Sequence, residues 1–123
     1  MGATTTPTWS VTTECLHVVV VPWAQMPALV RGLRALCEDV DTAWAIGGLY
    51  HGAAKALGWD RGLPVDLHPG SGTRAGQMGA WIVAALERAP DPAAAEALRA
   101  LAAGLALCAE RSRAVGEPEE AER

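Results

Sequence analysis

The sequence predicts an all-α fold: a small antiparallel helical bundle with one long central helix, straight or kinked. Three observations carry that prediction. Alanine, arginine and glycine are abundant while Phe is absent, so the chain is rich in the residue of highest helix propensity and poor in large core pieces. A stripe of Leu29, Leu33, Leu36, Val40, Ala43, Gly47, Tyr50, Ala54 and Leu57 recurs at spacings of four and three. Two helix starts are also legible, Pro27 in one first turn and Asp91-Pro92 as N-cap and first position of another.

In chain order, residues 1–13 read as a Thr-rich irregular arm in which Trp9 is the residue most suited to pin it to the body. Residues 14–116 read as one helical domain. The run from Glu14 to Trp23 is ambiguous. Four consecutive valines favour a strand, yet Leu16, Val19, Val20 and Trp23 would share one helical face. No other segment reads as a partner strand, and a lone strand leaves its backbone unpaired unless it pairs across a dimer axis. A short helix is therefore expected. From Pro27 the stripe keeps one phase over about 31 positions, which argues for one long helix or two that are nearly collinear; at 1.5 Å per residue the stretch would be about 46 Å long. A domain of this size has a radius of gyration near 14 Å. Such a helix must kink, most easily at Gly47-Gly48, or project to be covered by another subunit.

Residues 59–72 read as a connection punctuated by Gly and Pro. A helix is expected over 73–89, with Met78, Trp81, Ile82, Ala85 and Leu86 on one side. The last helix starts at Asp91-Pro92, carries the stripe Ala94, Leu98, Leu101, Leu105 and Cys108, and frays by Gly116. The tail, 117–123, holds four glutamates and one arginine and reads as a solvated, disordered end.

Length and composition limit the function classes. At 123 residues and 50% hydrophobic the chain is one domain with a real core, with a net charge of −4. Phe and Asn are absent and Lys and Ile are scarce, a bias that a GC-rich bacterial genome produces. Three widely spaced cysteines with no CxxC pair read as buried thiols in a reducing compartment. The N-terminus lacks the positive charge of a secretory signal. Leu16–Trp23 and Ala100–Ala109 fall short of the ~20 residues of a membrane span. The expected setting is cytoplasmic, with no membrane partner.

Two segments could hold a ligand. The loop from His68 through Ser71 and Thr73 to Arg74 runs straight into a helix, where backbone N–H groups and the dipole favour an anion. Its spacing is not that of a Walker loop, and a turn with Ser71 or Thr73 capping the helix is the plainer reading. The second segment contains Trp44, Gly47, Gly48, Tyr50, His51 and Gly52. Three glycines within six helical positions cost about 1 kcal/mol each, so something should come close to them. Another helix packing through the gap is the simpler occupant; a flat ligand flanked by Trp44 and Tyr50, with His51 as a polar handle, is the other. Trp81 would complete the wall of such an interhelical pocket.

No metal site, cofactor or catalytic constellation is expected. Cys15 and His17 share a face only on a strand, His51 and His68 stand alone, and Ser71 lacks the frame of a nucleophile elbow. Asp39 and Asp41, two apart on one helix, point in different directions. The chain therefore reads as non-catalytic, acting through self-association as a homodimer and through protein contacts. The alternative is a small-molecule-binding protein or small enzyme with an interhelical pocket and an anion-binding loop at 68–74.

Nucleic acid is not an expected partner. Ten cationic side chains are dispersed against fourteen carboxylates, and DNA affinity comes largely from clustered cations neutralising phosphates. The chain should show no measurable binding to duplex DNA at about 150 mM salt. A salt-sensitive gel shift with sub-micromolar affinity for random duplex would overturn this.

Overall fold

A computed structural model describes residues 11–12, 18–59 and 62–114. The protein is mostly helical. Its elements are β1 (Val11–Thr12), β2 (Val18–Val21), α1 (Met26–Leu36), α2 (Val40–Trp59), β3 (Val65–Leu67), α3 (Gly72–Ala84) and α4 (Pro92–Ala114), with single 3-10 turns at Trp23–Gln25 and Leu86–Arg88. Trp9, Cys15, His17, Gly116 and the acidic tail lie outside the described residues, as does all of the N-terminal arm except Val11–Thr12.

The all-α expectation holds in the main, and one small sheet is added to it. Val18–Val21 is a strand, not a helix, and it is the centre of a small antiparallel sheet in the order β1-β2-β3. Val19 stands opposite Val11 on one side and Leu67 on the other, and Val21 stands opposite Val65. The backbone groups of the valine run are thus paired within the chain, with no need of a dimer axis. The missing signal was small. Val65-Asp66-Leu67 alternates buried, exposed, buried as a half-covered strand should, but three residues are too few to stand out. Val11–Thr12 likewise adds a strand to an arm expected to be irregular.

The long central helix is also corrected. It is two helices, broken at Cys37–Asp39 and not at Gly47-Gly48. After Leu36 the hydrogen bonds shorten their reach, from Glu38 N–H to the Ala35 carbonyl and from Asp39 N–H to the Leu36 carbonyl. Asp39 then starts α2. Its carbonyl accepts from Ala43 N–H at 2.8 Å and its carboxylate from Thr42 N–H at 2.9 Å. The helices pack on one another across this turn, and the turn shifts the stripe. On α1 the expected Leu29, Leu33 and Leu36 are fully buried, but on α2 the buried set is Thr42, Ile46, Leu49 and Ala53. Each lies one residue from the position an unbroken phase predicts. Val40 is 69% exposed.

The remaining helices match their sequence signals closely. Ser71 caps α3, its hydroxyl accepting from Arg74 N–H at 3.1 Å. Met78, Ile82 and Ala85 are buried, whereas Trp81 is 40% exposed. Asp91 caps α4, its carboxylate accepting from Ala94 N–H at 2.8 Å. Ala94, Leu98, Leu101, Leu105 and Cys108 are all buried.

α4 is the core helix. It packs against α1, α3, β1 and β2, and Ala97, Ala100, Ala102 and Gly104 join its stripe in being buried. By length and composition alone α4 could cross a membrane, with 56% of its most apolar window buried inside the fold. Arg99 and Glu110 bound the uncharged stretch Ala100–Ala109 within it. Burial against four neighbouring elements accounts for its apolar content.

At Gly104 there is no room for a side chain, since a Cβ there would lie 2.8 Å from Val19 Cγ1. Val19 is β-branched, stiff and held in the central strand, so it cannot step aside. Gly104→Ala should therefore lower stability by about 1–3 kcal/mol despite alanine's better helix propensity. At Gly47 a Cβ meets nothing within 4 Å, so Gly47→Ala should raise the stability of the monomer by about 1 kcal/mol. Thermal unfolding of the two variants in dilute solution checks the opposite signs.

Candidate functional site

Because the buried side of α2 runs through Thr42, Ile46, Leu49 and Ala53, the helix turns its opposite side outward. Val40, Trp44, Gly48, His51 and Lys55 are exposed along that side, with Gly47 half-buried. Trp44 is 86% exposed, more than any other large hydrophobic side chain among the described residues. Cys37, Val40, Ala43, Trp44, Gly47, Gly48 and His51 line an open cleft of about 400 Å³. Its floor is bare helix backbone. Added Cβ atoms at Gly47 and Gly48 would meet nothing within 4 Å, and at Gly52 only Leu67 Cδ2 at 3.8 Å. No contact within the described chain therefore requires these glycines. Tyr50 is half-buried beside the core, with its ring centroid 5.6 Å from that of His51.

The loop before α3 is organised by its own hydrogen bonds. Ser71 uses its oxygen to cap the helix. Gly70 has a φ of +106°, in the region that favours glycine, and the Arg74 side chain folds back so that its Cδ lies 3.3 Å from where a Gly70 Cβ would stand. His68 is exposed and Thr73 half-buried.

Trp81 lines a third place, a cleft of about 250 Å³ with Asp39, Thr42, Ala84, Ala85, Glu87 and Arg88. Here the sequence reading missed a polar network. The buried Thr42 hydroxyl donates to the Asp39 carboxylate at 2.9 Å and accepts from Arg88 Nη2 at 2.9 Å. Arg88 Nη1 reaches the other Asp39 oxygen at 4.0 Å. The Asp-x-x-Thr spacing was the available signal, hidden by reading Asp39 as mid-helical. A matching latch ties α1 to α4, where Arg31 donates from Nε and Nη2 to the two oxygens of Asp91 at 3.1 and 3.2 Å.

The predicted ligand residues thus fall into separate places. Trp44 and His51 share the α2 cleft, Trp81 lines another, and His68, Ser71, Thr73 and Arg74 line neither. A further open groove of about 520 Å³ runs between α3 and α4, lined by small residues including Gly76, Gly79, Ala102, Ala106 and Ala109, with Glu110 and Arg113. Its glycines serve internal packing, since a Cβ at Gly79 would lie 3.4 Å from the Ala102 carbonyl oxygen. Comparison with known protein families, with curated proteins and with solved structures finds no match for this chain.

Both capping carboxylates are more acidic than usual. Asp39 is lowered by the backbone and hydroxyl hydrogen bonds of Thr42, with Arg88 adding to them. Asp91 is lowered by the Arg31 hydrogen bond and the Ala94 amide. The folded chain therefore holds these protons less tightly than the unfolded chain, whose carboxyls titrate near about 4. Their contribution to stability is present above that pH and is lost as pH falls through the depressed folded values. Denaturant unfolding between about pH 6 and 2 should show a flatter acid limb in Asp91→Asn than in the parent chain.

Proposed function

We propose that this chain is a non-catalytic helical protein, its helices arranged as an antiparallel bundle around α4, acting in the bacterial cytoplasm through protein contacts and first of all with a second copy of itself. The observation that carries this reading is the outer side of α2. There the exposed Val40 and Trp44 lie on the turns just before two helix glycines that no contact within the described chain requires. A helix gives up about 1 kcal/mol for each such glycine. Close approach of another surface is the use that would offset it. The long stripe that first suggested a partner no longer argues for one, because its α1 half is buried in the chain's own core.

A second reading keeps the same cleft for a small molecule. Its volume of about 400 Å³ falls in the range of ligand sites, and a flat ring could lie on the Gly47-Gly48 backbone beside Trp44, with His51 as the polar handle. This reading does not need the loop at 68–74, where the Ser71 hydroxyl caps α3 and the Arg74 stem folds over Gly70.

Sedimentation velocity decides between them. The self-association reading expects a monomer–dimer equilibrium in the micromolar range, while a monomer at all concentrations that instead shifts its Trp fluorescence with an aromatic metabolite supports the ligand reading.

A further inference from the structure

The outer side of α2 has an order along the helix that matches a second copy of itself running the other way. At 100° per residue Val40, Trp44, Gly47, Gly48, His51 and Lys55 share one face, with Asp41 at its edge. The midpoint of the face lies between Gly47 and Gly48. Trp44 and His51 stand 3.5 residues either side of it, about 5 Å along the axis in each direction. Asp41 lies about 10 Å to one side and Lys55 about 11 Å to the other. Asp41 and Lys55 are both exposed, as are Trp44 and His51. The face thus has an acidic end, a basic end, an aromatic ring on each inner flank and no side chain at its centre.

We propose that two copies of this chain dock α2 against α2 antiparallel, with the two-fold axis at Gly47-Gly48. The inference rests on the self-association reading and specifies its surface and geometry. A two-fold interface must be self-complementary, each residue meeting its counterpart on the other copy. About this midpoint Gly47 meets Gly48 of the second copy, which lets the backbones approach as bulkier centres would not. Trp44 meets His51, so each large ring lies over a smaller one and not over its twin. Asp41 comes opposite the Lys55 end, pairing unlike charges twice. A parallel pairing would instead set Trp44 on Trp44, Asp41 on Asp41 and Lys55 on Lys55. The bare floor is what an approaching helix requires, since Cβ atoms at Gly47 and Gly48 would project into space that nothing in the described chain fills. One helix face is smaller than the roughly 800 Å² per partner of a standard interface, which makes the pairing a micromolar one that ionic strength weakens.

Sedimentation velocity on the full chain between about 5 and 500 µM, at low and high salt, tests both the pairing and its geometry. Gly48→Leu fills the floor and should weaken the dimer by about 30-fold or more. It should also raise the thermal midpoint of the dilute monomer by a few degrees, because Leu is the better helix former, which separates a lost interface from a lost fold. Asp41→Lys and Lys55→Asp should each weaken the low-salt dimer by about 3- to 10-fold, and the double reversal should return it to within about 2-fold of the parent. A dimer that survives Gly48→Leu unchanged, or a double reversal no better than the single ones, overturns the antiparallel α2 crossing and leaves self-association through another surface. A parent chain that stays monomeric to the highest concentration overturns both.

Discussion

The approach of α4 to the central strand at Gly104 is the contact on which the rest of the structure depends. With Val19 standing where a Gly104 side chain would be, α4 lies against the sheet at a distance that only a bare backbone permits. The same closeness recurs around the helix. A Cβ on Gly32 of α1 would lie 2.9 Å from Leu98 Cγ, and one on Gly79 of α3 would lie 3.4 Å from the Ala102 carbonyl oxygen. A helix approached this closely by a strand and two helices must be built of small residues on most of its surface. The alanine richness of 92–114 therefore follows from packing as much as from propensity. Leu98, Leu101 and Leu105 supply the bulk that fills the space between.

Three helix starts fix how the other elements sit around α4. Asp39, Ser71 and Asp91 each satisfy an amide that a helix leaves without an internal partner. Two of these caps are also latches. Arg31 grips Asp91 and so joins α1 to the start of α4. Arg88 reaches Thr42 and Asp39 and so joins the turn after α3 to the start of α2. Exposed ion pairs add little by themselves; here they tie two helix starts to neighbouring elements. The side that α2 turns outward is the one opposite its buried Thr42, Ile46, Leu49 and Ala53.

The glycines divide into two groups with different physical roles. Gly32, Gly79 and Gly104 have neighbours within 3.5 Å of an added Cβ, and their use is inside the chain. Gly47 and Gly48 have none, and their helix-weakening effect has no return within the described residues. That contrast, together with Val40 and Trp44 left exposed on the same side, sets the outer side of α2 apart from the α3–α4 groove and the loop before α3.

The sequence by itself determined the local features whose cause lies within a turn or two of chain. Asp91-Pro92 and Ser71 start their helices, Leu29, Leu33 and Leu36 face inward, and the whole stripe of α4 is buried, because capping and helical periodicity depend on nearest neighbours. Only the tertiary structure decided the rest. The valine run became a strand because Val65–Leu67, more than forty residues later, returns to pair with it, and such long-range pairing leaves no mark in the run itself. The 27–57 stripe kept its apparent phase through a turn because Ala43, Gly47 and Ala54 are small enough to sit on either side of a helix. The break at Cys37–Asp39 moved the buried side by one residue. That single step, at the turn where Asp39 bonds Thr42, leaves Trp44 and Gly48 exposed on the outer side of α2, with Gly47 half-buried beside them.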